Sequence, residues 1–229
     1  MNDPLAPRHS QARSGSLRGG HGPKPHVRPP EAGETLEDAD LARVDWWGAE
    51  LAEVTFVRCR FDDADLTELV TRRCVFEQCV LTGARMAGSR HIGTAFLSCR
   101  LDRSRLFDAV WEGCKLTGSH FPGATLRPLT TSDSDWSWTS LRGVDLSGSD
   151  LSGQRFTEAD LTDADLRECD LTGAHLGRAR LQGAKLRGSD LRGAVTDAVN
   201  WRTFDLTGVR LDLAQSVQVA RAHGALVTD

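Results

Sequence analysis

The sequence predicts an all-β solenoid, a β-helix of about nine coils that ends in a short α-helix. The first observation is a period of five: across positions 36–211, thirty-two of thirty-six sites at this spacing hold Leu, Phe, Trp or Met. The second is a small residue, usually Ala, Ser or Cys, two positions before each large one. Four sites interrupt the register of large residues, and they are Thr71, His91, Thr131 and Thr196.

A period of five fits neither an α-helix nor a flat strand. Five residues turn about 500° on a helix, so successive large residues would drift round it by roughly 140°. On a strand, an odd period puts successive residues on opposite faces. The chain must therefore turn a corner once per repeat, and four corners close a square coil of about twenty residues whose strands stack roughly 4.8 Å apart.

Folding the register by twenty tests the square coil. One side would then stack Phe56, Phe76 and Phe96. Another side would collect three of the four interruptions, His91 among them. We expect that side to be distorted or looped in the N-terminal coils, and His91 to be satisfied by local hydrogen bonds rather than to act in catalysis.

Three segments follow from composition and period. Residues 1–33 hold six of the eight prolines and almost no large apolar residue, so we expect a disordered Pro/Gly-rich tail. A basic arm for nucleic acid is the alternative, although its bases are scattered and no aromatic residue accompanies them. Residues 34–211 form the β-helix, in which Pro128 predicts a kink or bulge. Residues 212–229 form a capping and dimerisation helix with a short tail.

The C-terminal segment carries the start and stop signals of a helix. Asp212 offers an N-cap, Gln215 completes a capping box, and Gly224 offers a left-handed stop. A helix there would cover the open end of the last coil, whose exposed β edge otherwise invites association. Its apolar face also suits dimerisation. We expect the homodimer interface to comprise Leu213, Val217, Ala220, Leu226 and Val227.

All six cysteines fall two positions before a large residue, where Ala and Ser otherwise stand. This placement does not indicate a disulfide framework. Cys59, Cys79 and Cys99 lie twenty apart and would form one column, which leaves a metal site as an alternative. No CxxC spacing occurs and no histidine shares the register, so we interpret the cysteines as buried structural thiols and expect neither metal nor cofactor.

The sequence lacks the motifs of the common enzyme classes, namely GxSxG, the P-loop, GxGxxG and HExxH. We therefore expect a binding protein and not an enzyme. No apolar run approaches the length of a membrane span, and the N-terminus lacks the apolar core of a signal peptide. These features predict a cytoplasmic protein without a membrane partner.

Acidic residues concentrate in one stretch of the rod. Positions 133–170 hold ten acids against three bases, whereas positions 171–202 hold six bases against two acids. Folding by twenty would place Asp150, Asp170 and Asp190 in one exposed stripe and Asp145 and Asp165 in another. These five carboxylates are the candidate partner-binding residues. Plain solubility is the alternative, because Asp is the common residue of this repeat.

The repeating unit Ala-Asp-Leu-x-x, as in positions 159–163 and 164–168, resembles that of the pentapeptide-repeat proteins. That family forms a right-handed quadrilateral β-helix. The handedness and the four sides are thus what the resemblance implies, whereas the residues themselves establish only the period.

Four non-repetitive segments resemble the fluoroquinolone-resistance group within that family, and they are Ser89–Phe96, Leu126–Thr130, Trp201–Thr203 and Ala222–Gly224. The resemblance implies a DNA-mimicking homodimer, joined through its C-terminal ends, whose acidic rod engages DNA gyrase in place of duplex DNA. It implies protection of gyrase from quinolones or from a gyrase-poisoning natural product, with no direct contact to nucleic acid. The alternative from another class is a structural solenoid scaffold unrelated to topoisomerases.

Overall fold

The computed structural model describes residues 27–228 and shows a parallel β-solenoid followed by a C-terminal helix. The strands are β1 Thr35–Glu37, β2 Glu50–Ala52, β3 Thr55–Val57, β4 Val70–Arg72, β5 Val75–Glu77, β6 Arg90–Ile92, β7 Ala95–Leu97, β8 Val110–Glu112 and β9 Thr130–Ser132. A 3-10 helix, Trp201–Thr203, and helix α1, Leu213–Ala222, come after them. The predicted β-helix with a C-terminal helix is confirmed.

Each strand pairs with the strand one coil later along the chain. β1, β3, β5 and β7 form a four-stranded parallel sheet in which Phe56, Phe76 and Phe96 are successive partners. β2, β4, β6, β8 and β9 form a five-stranded parallel sheet. Single parallel bridges carry the same twenty-residue register on to Asp190 and Arg210. Strands therefore occupy five coils, fewer than the nine coils predicted. In the later coils, single bridges and the bonds at the corners join one coil to the next.

We number the four sides of the coil by the inward large residues that recur every twenty positions. Side 1 includes Phe76, side 2 Leu81, side 3 Met86 and side 4 His91. Sides 1 and 4 carry the strands of the N-terminal coils. Sides 2 and 3 are joined by single bridges along the described rod.

The inward residues of all four sides form one continuous core. In the N-terminal coils, the rings of Phe56 and Phe76 stack with centroids 4.8 Å apart, and those of Phe76 and Phe96 with centroids 4.6 Å apart. Leucines fill most of the inward large positions of the later coils, taken over all four sides. Each fully buried large apolar side chain contributes on the order of 1.5–3 kcal/mol before conformational entropy is subtracted, so the repeat itself supplies the stability of the rod.

Side 4 is regular, and the prediction that it would be distorted or looped is wrong. Its interruptions lie within the five-stranded sheet and pair in register. The buried His91 ring makes two hydrogen bonds, Nδ1 to Thr71 Oγ1 at 2.8 Å and Nε2 to Ser89 Oγ at 3.0 Å. Thr71 Oγ1 also bonds Thr94 Oγ1 at 2.9 Å. Polar inward residues therefore fit the coil because they satisfy one another, as predicted for His91.

The corners of the coil are of two kinds. On sides 2 and 3 the chain makes a hydrogen-bonded turn, as where Val44 N donates to Leu41 O at 3.2 Å and Arg43 takes a φ of 60°. The corners that follow strands are wider, and at four of them a side chain of the next coil accepts the N–H group instead. Cys99 N, for example, donates to Ser119 Oγ at 2.9 Å.

The N-terminal end of the rod is in contact with the first described residues. Trp46 Nε1 donates to the carbonyl oxygen of Val27 at 2.7 Å. Residues 1–26, most of the segment predicted to be a disordered tail, lie outside the described residues, so that prediction stays a prediction. At the predicted kink, the Arg127–Pro128 peptide is cis and β9 then continues the five-stranded sheet in register.

Helix α1 closes the C-terminal end through a polar anchor. The predicted capping box is confirmed, since Asp212 Oδ1 accepts from Gln215 N at 2.9 Å and Gln215 Oε1 accepts from Asp212 N at 3.1 Å. Buried Gln215 also donates through Nε2 to the carbonyl oxygens of Leu191 and Ala194 at 2.6 and 3.0 Å. It thereby ties the helix to the backbone of the last coil, where Leu191 O also accepts from Ala194 N at 2.9 Å.

Val219 and Ala222 pack against the core beside this anchor. The residues of α1 that contact the end of the rod therefore lie on a different face of the helix from the predicted apolar face of Leu213, Val217 and Ala220. Leu213, on the predicted face, is 82% exposed, whereas Val217 and Ala220 are half-buried.

Candidate partner-binding surface

The structure stacks the predicted carboxylates on two neighbouring sides of the rod. Asp145 bridges to Asp165 on side 3. Asp150 bridges to Asp170, and Asp170 bridges to Asp190, on side 4. Bridged residues lie one coil apart, about 4.8 Å along the rod. The predicted stacking of these residues in register is therefore present, and their surroundings decide which carboxylates expose negative charge.

Each carboxylate also has a local structural task. Ser152 N donates to Asp150 Oδ1 at 3.0 Å, and Thr172 N donates to Asp170 Oδ1 at 2.9 Å. Asp145 Oδ1 likewise accepts from the backbone and the hydroxyl of Ser147. An oxygen acceptor at this position caps a backbone N–H group at the corner. Asn provides the same acceptor without the charge, so Asp→Asn changes separate the two tasks.

Asp165 is neutralised by its neighbours. Arg167 donates to both carboxylate oxygens, at 2.8 and 2.6 Å, and Lys185 Nζ lies 3.7 Å from Oδ2. The side chain of Asp165 is only 12% exposed. The hydrogen bond from Arg167 holds the pKa of Asp165 below its usual range.

Asp190 is held in the same way. Arg192 forms a close ion pair with it at 2.7 Å, and Arg210 of the next coil adds a second at 3.5 Å. Its side chain is 11% exposed, and the hydrogen bond from Arg192 lowers the pKa of Asp190 to about 2. The prediction that Asp165 and Asp190 lie in exposed stripes is therefore wrong, because the flanking Arg side chains fold over them.

Asp145 is intermediate between these cases. Burial is the largest single influence on its carboxyl and raises the pKa. Hydrogen bonds from Ser147 and the charge of Arg127 outweigh burial, so the pKa of Asp145 lies below its usual range. Arg127 Nη1 is 3.5 Å from Asp145 Oδ2, at a distance typical of a loose surface pair.

Of the five predicted acids, Asp150 and Asp170 are the two that are exposed and form no ion pair with a base among the described residues. Within the described part of the chain, no Lys, Arg or His nitrogen lies within 4.0 Å of either carboxylate. From position 130 to 173, the outward positions of side 4 hold only hydroxyl residues, glycines and acids, and they are Thr130, Ser132, Asp133, Asp150, Ser152, Gly153, Asp170, Thr172 and Gly173. We call this stretch the acidic face of side 4.

Sequence reasoning missed a ladder of ion pairs between coils, each joining an acid to a base twenty residues later. The pairs are Asp38–Arg58, Asp40–Arg60, Glu53–Arg73, Asp65–Arg85, Asp135–Arg155, Glu158–Arg178, Asp160–Arg180, Asp165–Lys185 and Asp190–Arg210. Reading the outward positions at a spacing of twenty would have found them. Nine acids of the repeat are thus held by a base of the next coil, whereas Asp150 and Asp170 have no such partner among the described residues.

At the C-terminal end, three of the predicted interface residues are exposed apolar side chains. They are Leu213, Leu226, which is 96% exposed, and Val227. Together they leave apolar surface beside the helix that closes the last coil.

All six cysteines are buried and carry free thiols, which confirms their prediction as buried structural thiols. Burial raises the pKa of Cys114 and of Cys169 to about 11, which suppresses the reactive thiolate. Burial also lowers the pKa of His91 to about 3, so its ring is neutral at physiological pH.

Among residues 27–228, no helix has both the length and the apolar character that crossing a membrane requires.

Comparisons with known proteins agree with this architecture. The family model for pentapeptide repeats matches residues 36–68, 59–90, 134–173 and 174–195, about half of the chain. The chain is 45% identical over 86 residues to the pentapeptide repeat protein MfpA of Mycobacterium tuberculosis, a match that covers 38% of this chain and 47% of MfpA. The chain thus spans about half the length of the curated relative it matches.

Among solved structures, full-length QnrB1, a plasmid-mediated fluoroquinolone resistance protein, superimposes with a TM-score of 0.76 at 21% identity, covering 86% of this chain and 99% of QnrB1. A trypsin-treated variant of QnrB1 gives a TM-score of 0.75, also at 21% identity, over 85% of this chain and 97% of its own. At this identity the likeness is one of fold.

Proposed function

The chain belongs to the pentapeptide-repeat family, and on that premise we propose that it binds DNA gyrase in place of duplex DNA. In this role it modulates the enzyme and protects it from quinolones or from a gyrase-poisoning natural product. It acts in the cytoplasm as a binding protein and not as an enzyme. The identity to MfpA and the fold shared with QnrB1 support this proposal.

The observation that carries the proposal is the acidic face of side 4. Duplex DNA presents one negative charge per roughly 1.7 Å of its axis, so a surface that replaces it needs exposed charges in register. Asp150 and Asp170 meet this need, because they stack in consecutive coils and no basic side chain covers them. A cationic groove that binds DNA would meet negative charge along this side of the rod, as it does along duplex DNA.

The five predicted acids divide into two roles under this proposal. Asp150 and Asp170 contact the partner directly, and Asp145 adds to the field from the neighbouring side. Asp165 and Asp190 hold arginines in place and contribute little net charge. The proposed contact is electrostatic, so binding weakens steeply as the salt concentration rises.

Paired Asn variants test this division. The change Asp150→Asn with Asp170→Asn removes two charges from the acidic face and keeps both corner hydrogen bonds. The change Asp165→Asn with Asp190→Asn alters the net charge by the same amount at the covered positions. We expect the first variant to lose most of its affinity for purified gyrase and its protection of supercoiling against a fluoroquinolone. The second should keep most of both.

Three outcomes are informative. If the folded Asp150/Asp170 variant acts like the wild-type protein, the acidic face only confers solubility. If both variants lose activity equally, net charge matters and register does not. If the wild-type protein neither binds gyrase nor changes supercoiling, the gyrase proposal is wrong and a structural scaffold takes its place.

We also propose that the protein is a homodimer joined through its C-terminal end. The exposed apolar side chains of Leu213, Leu226 and Val227 support this, because apolar surface at one end of a rod favours a symmetric contact with a second copy. Changing Leu213 and Leu226 to Ser should give a folded monomer by light scattering. A wild-type protein that is monomeric at micromolar concentration would leave α1 with its capping role alone.

A further inference from the structure

A groove with a volume of about 440 Å³ lies along the edge where side 1 turns into side 2. Its lining comes mainly from two parallel columns of outward residues that recur every twenty positions. One column is joined by bridges and the other stands on the corner before it, and their members are His120, Ser140, Asp160 and Arg180, and Trp138, Glu158 and Arg178. We call this the edge groove. It spans three coil spacings, or about 14 Å, and its volume suits a small ligand.

Trp138 lines one end of the edge groove in a backbone conformation that its side chain does not favour. Its φ is 62°, in the left-handed region that glycine adopts most readily, and Gly118 occupies the matching corner one coil earlier. Among the described residues, it is the one aromatic residue with a positive φ. The ring is 58% exposed, whereas Trp136 fills the core position of this coil. The β-helix does not need this ring, and a strained, exposed residue indicates a function.

The other end of the edge groove presents guanidinium groups. Arg178 Nη1 lies 3.5 Å from Glu158 Oε1, and the side chains are 73% and 24% exposed. Arg180 Nη2 lies 3.2 Å from Asp160 Oδ2, with the same contrast in exposure. Each guanidinium has five N–H donors, and the ion pair engages one of its nitrogens. The remaining donors of two neighbouring arginines suit the oxygens of a phosphate.

Carboxylates lie between the ring and the guanidinium groups. Asp160 Oδ1 accepts from Thr162 N at 3.1 Å, and each carboxylate oxygen can accept a second bond. Burial raises the pKa of Asp160, but the hydrogen bonds from Thr162 and the charge of Arg180 outweigh it, so the carboxyl is ionised near neutral pH. Ionised Asp and Glu side chains accept hydrogen bonds from sugar hydroxyl groups.

The edge groove therefore orders an aromatic face, hydroxyl acceptors and anion donors along the rod. A nucleoside 5′-monophosphate carries a base, a sugar and a phosphate in the same order. From position 138 to position 178 there are two coil spacings, or about 10 Å, which suits the extent of one nucleotide. A nucleic-acid strand would bring a further phosphate towards Glu158 and Asp160, and this repulsion favours a single nucleotide.

We propose that the edge groove binds a free nucleoside monophosphate, with the base on the Trp138 ring and the phosphate between Arg178 and Arg180. The sugar hydroxyl groups donate to the carboxylates in the middle of the groove. This site is separate from the proposed gyrase contact, because the acidic face lies on side 4.

Calorimetric titration of the full chain with adenosine 5′-monophosphate tests the proposal. We expect saturable one-to-one binding. Adenosine lacks the phosphate and ribose 5-phosphate lacks the base, so each should bind at least about tenfold more weakly. The change Asp150→Asn with Asp170→Asn should leave this binding unchanged, which separates the site from the proposed gyrase contact.

Two variants remove the recognition groups one at a time. Trp138→Gly deletes the ring and supplies the residue that this corner favours, so the rod should keep its melting temperature. It should weaken nucleotide binding about tenfold. Arg178→Gln with Arg180→Gln should weaken it at least as much, about tenfold or more.

The controls match these changes at other places on the rod. Trp47→Ser removes another exposed ring. Arg58→Gln removes a base that stands on the same corner column in the first coils and pairs with Asp38 as Arg178 pairs with Glu158. Both control proteins should bind adenosine 5′-monophosphate like the wild-type protein.

Loss of binding in the two groove variants, with wild-type binding in both controls, supports the proposal. Absence of saturable binding up to about 10 mM nucleotide would overturn it. Binding of ribose 5-phosphate as tight as that of the nucleotide would reduce the groove to an anion site and would also overturn it. A single-stranded oligonucleotide that binds more tightly than the mononucleotide would refute the assignment to a free nucleotide. Equal losses in the controls would show that no particular site is involved.

Discussion

The N-terminal coils, up to β9, and the coils that follow them share one period but differ in the hydrogen bonds at the corners of sides 1 and 4. In the N-terminal coils, the N–H groups of Cys99 and Cys114 donate to hydroxyl oxygens of the next coil, at 2.9 and 3.1 Å. In the later coils, Ala159 N and Ala174 N donate back to the carbonyl three residues earlier, at 3.1 and 3.0 Å. The first arrangement leaves room for strands, and the second draws the chain into a tight turn.

This difference explains the composition of the inward small positions. A wide corner leaves a buried N–H group that needs an acceptor, and an unpaired one costs about 1–3 kcal/mol. Ser119 and Ser134 supply that acceptor from their side chains, and Gln154 does so for Ser134 N at 3.1 Å. Ala159 and Ala174 suffice where the turn closes on itself. The polar and thiol-rich inward columns of the N-terminal coils thus accompany their strands.

The largest effect is expected from a charge in the core of the later coils. Leu166→Arg places a guanidinium among stacked leucines, and burying it without a partner should cost about 4 kcal/mol or more. Because each coil contacts only its neighbours, the coils around position 166 should unfold while the strand-bearing coils persist. Circular dichroism and thermal melting would show a reduced amplitude and an early transition.

Leu166→Met is the control for that change. It conserves volume and should cost less than about 1.5 kcal/mol. If the arginine variant melts like the wild-type protein, position 166 does not face the core. If the whole rod unfolds in one step, the two regions are not separable.

A smaller effect is expected from removing one acceptor at a wide corner. Ser119→Ala leaves the buried N–H group of Cys99 unpaired and should cost about 1–3 kcal/mol. Ser104→Ala is the matched control, because Ser104 N already donates to Leu101 O at 3.1 Å within a closed turn. We expect it to cost less than about 1 kcal/mol. Urea denaturation compares the two, and equal losses would refute the distinction between corners.

Much of this comparison could be read from the sequence, and part could not. The period of five fixes which residues point inward, since one slip would turn every large side chain to solvent. It does not distinguish a wide corner from a closed one, because that depends on hydrogen bonds between residues twenty apart. The regularity of side 4 was missed for this reason: His91 interrupts the pattern of hydrophobicity, yet Thr71 and Ser89 satisfy it.

The geometry of the candidate site was likewise predictable only in part. Stacking of Asp150 on Asp170 follows from the register alone. Neutralisation of Asp165 and Asp190 does not, because it depends on the direction that Arg167 and other long flexible side chains take. Reading acids and bases at a spacing of twenty would have supplied the pairs between coils. The pairs within one corner, such as Asp190 with Arg192, required the structure.

The pH dependence of stability should come first from the strand-bearing coils. The pKa of His91 is about 3 in the folded protein, below its ordinary value of about 6.5. As pH falls below 6.5 the unfolded chain takes up a proton that the folded protein refuses, so stability is lost on acidification. The loss between pH 6.5 and 5 should be about 1–2 kcal/mol. His91→Gln should flatten the denaturation midpoints over this window, and an equally steep dependence in that variant would assign the effect elsewhere.

The smallest effect is expected at the acidic face of the later coils, where stability and binding should separate. Asp150 and Asp170 stack about 4.8 Å apart without a cation between them, so their repulsion destabilises the rod slightly in water. Changing both to Asn keeps the bonds from Ser152 N and Thr172 N and should raise stability by a few tenths of a kcal/mol at low salt. The gain should vanish at about 1 M salt, where screening acts within 3 Å.

Asp165→Asn should do the opposite and cost up to about 1 kcal/mol, because it leaves Arg167 and Lys185 without their carboxylate. Urea midpoints at both salt concentrations measure these signs. Should the Asp150/Asp170 variant prove less stable than the wild-type protein, these carboxylates support the corners as anions, and a loss of partner binding in that variant could no longer be read as a loss of charge alone.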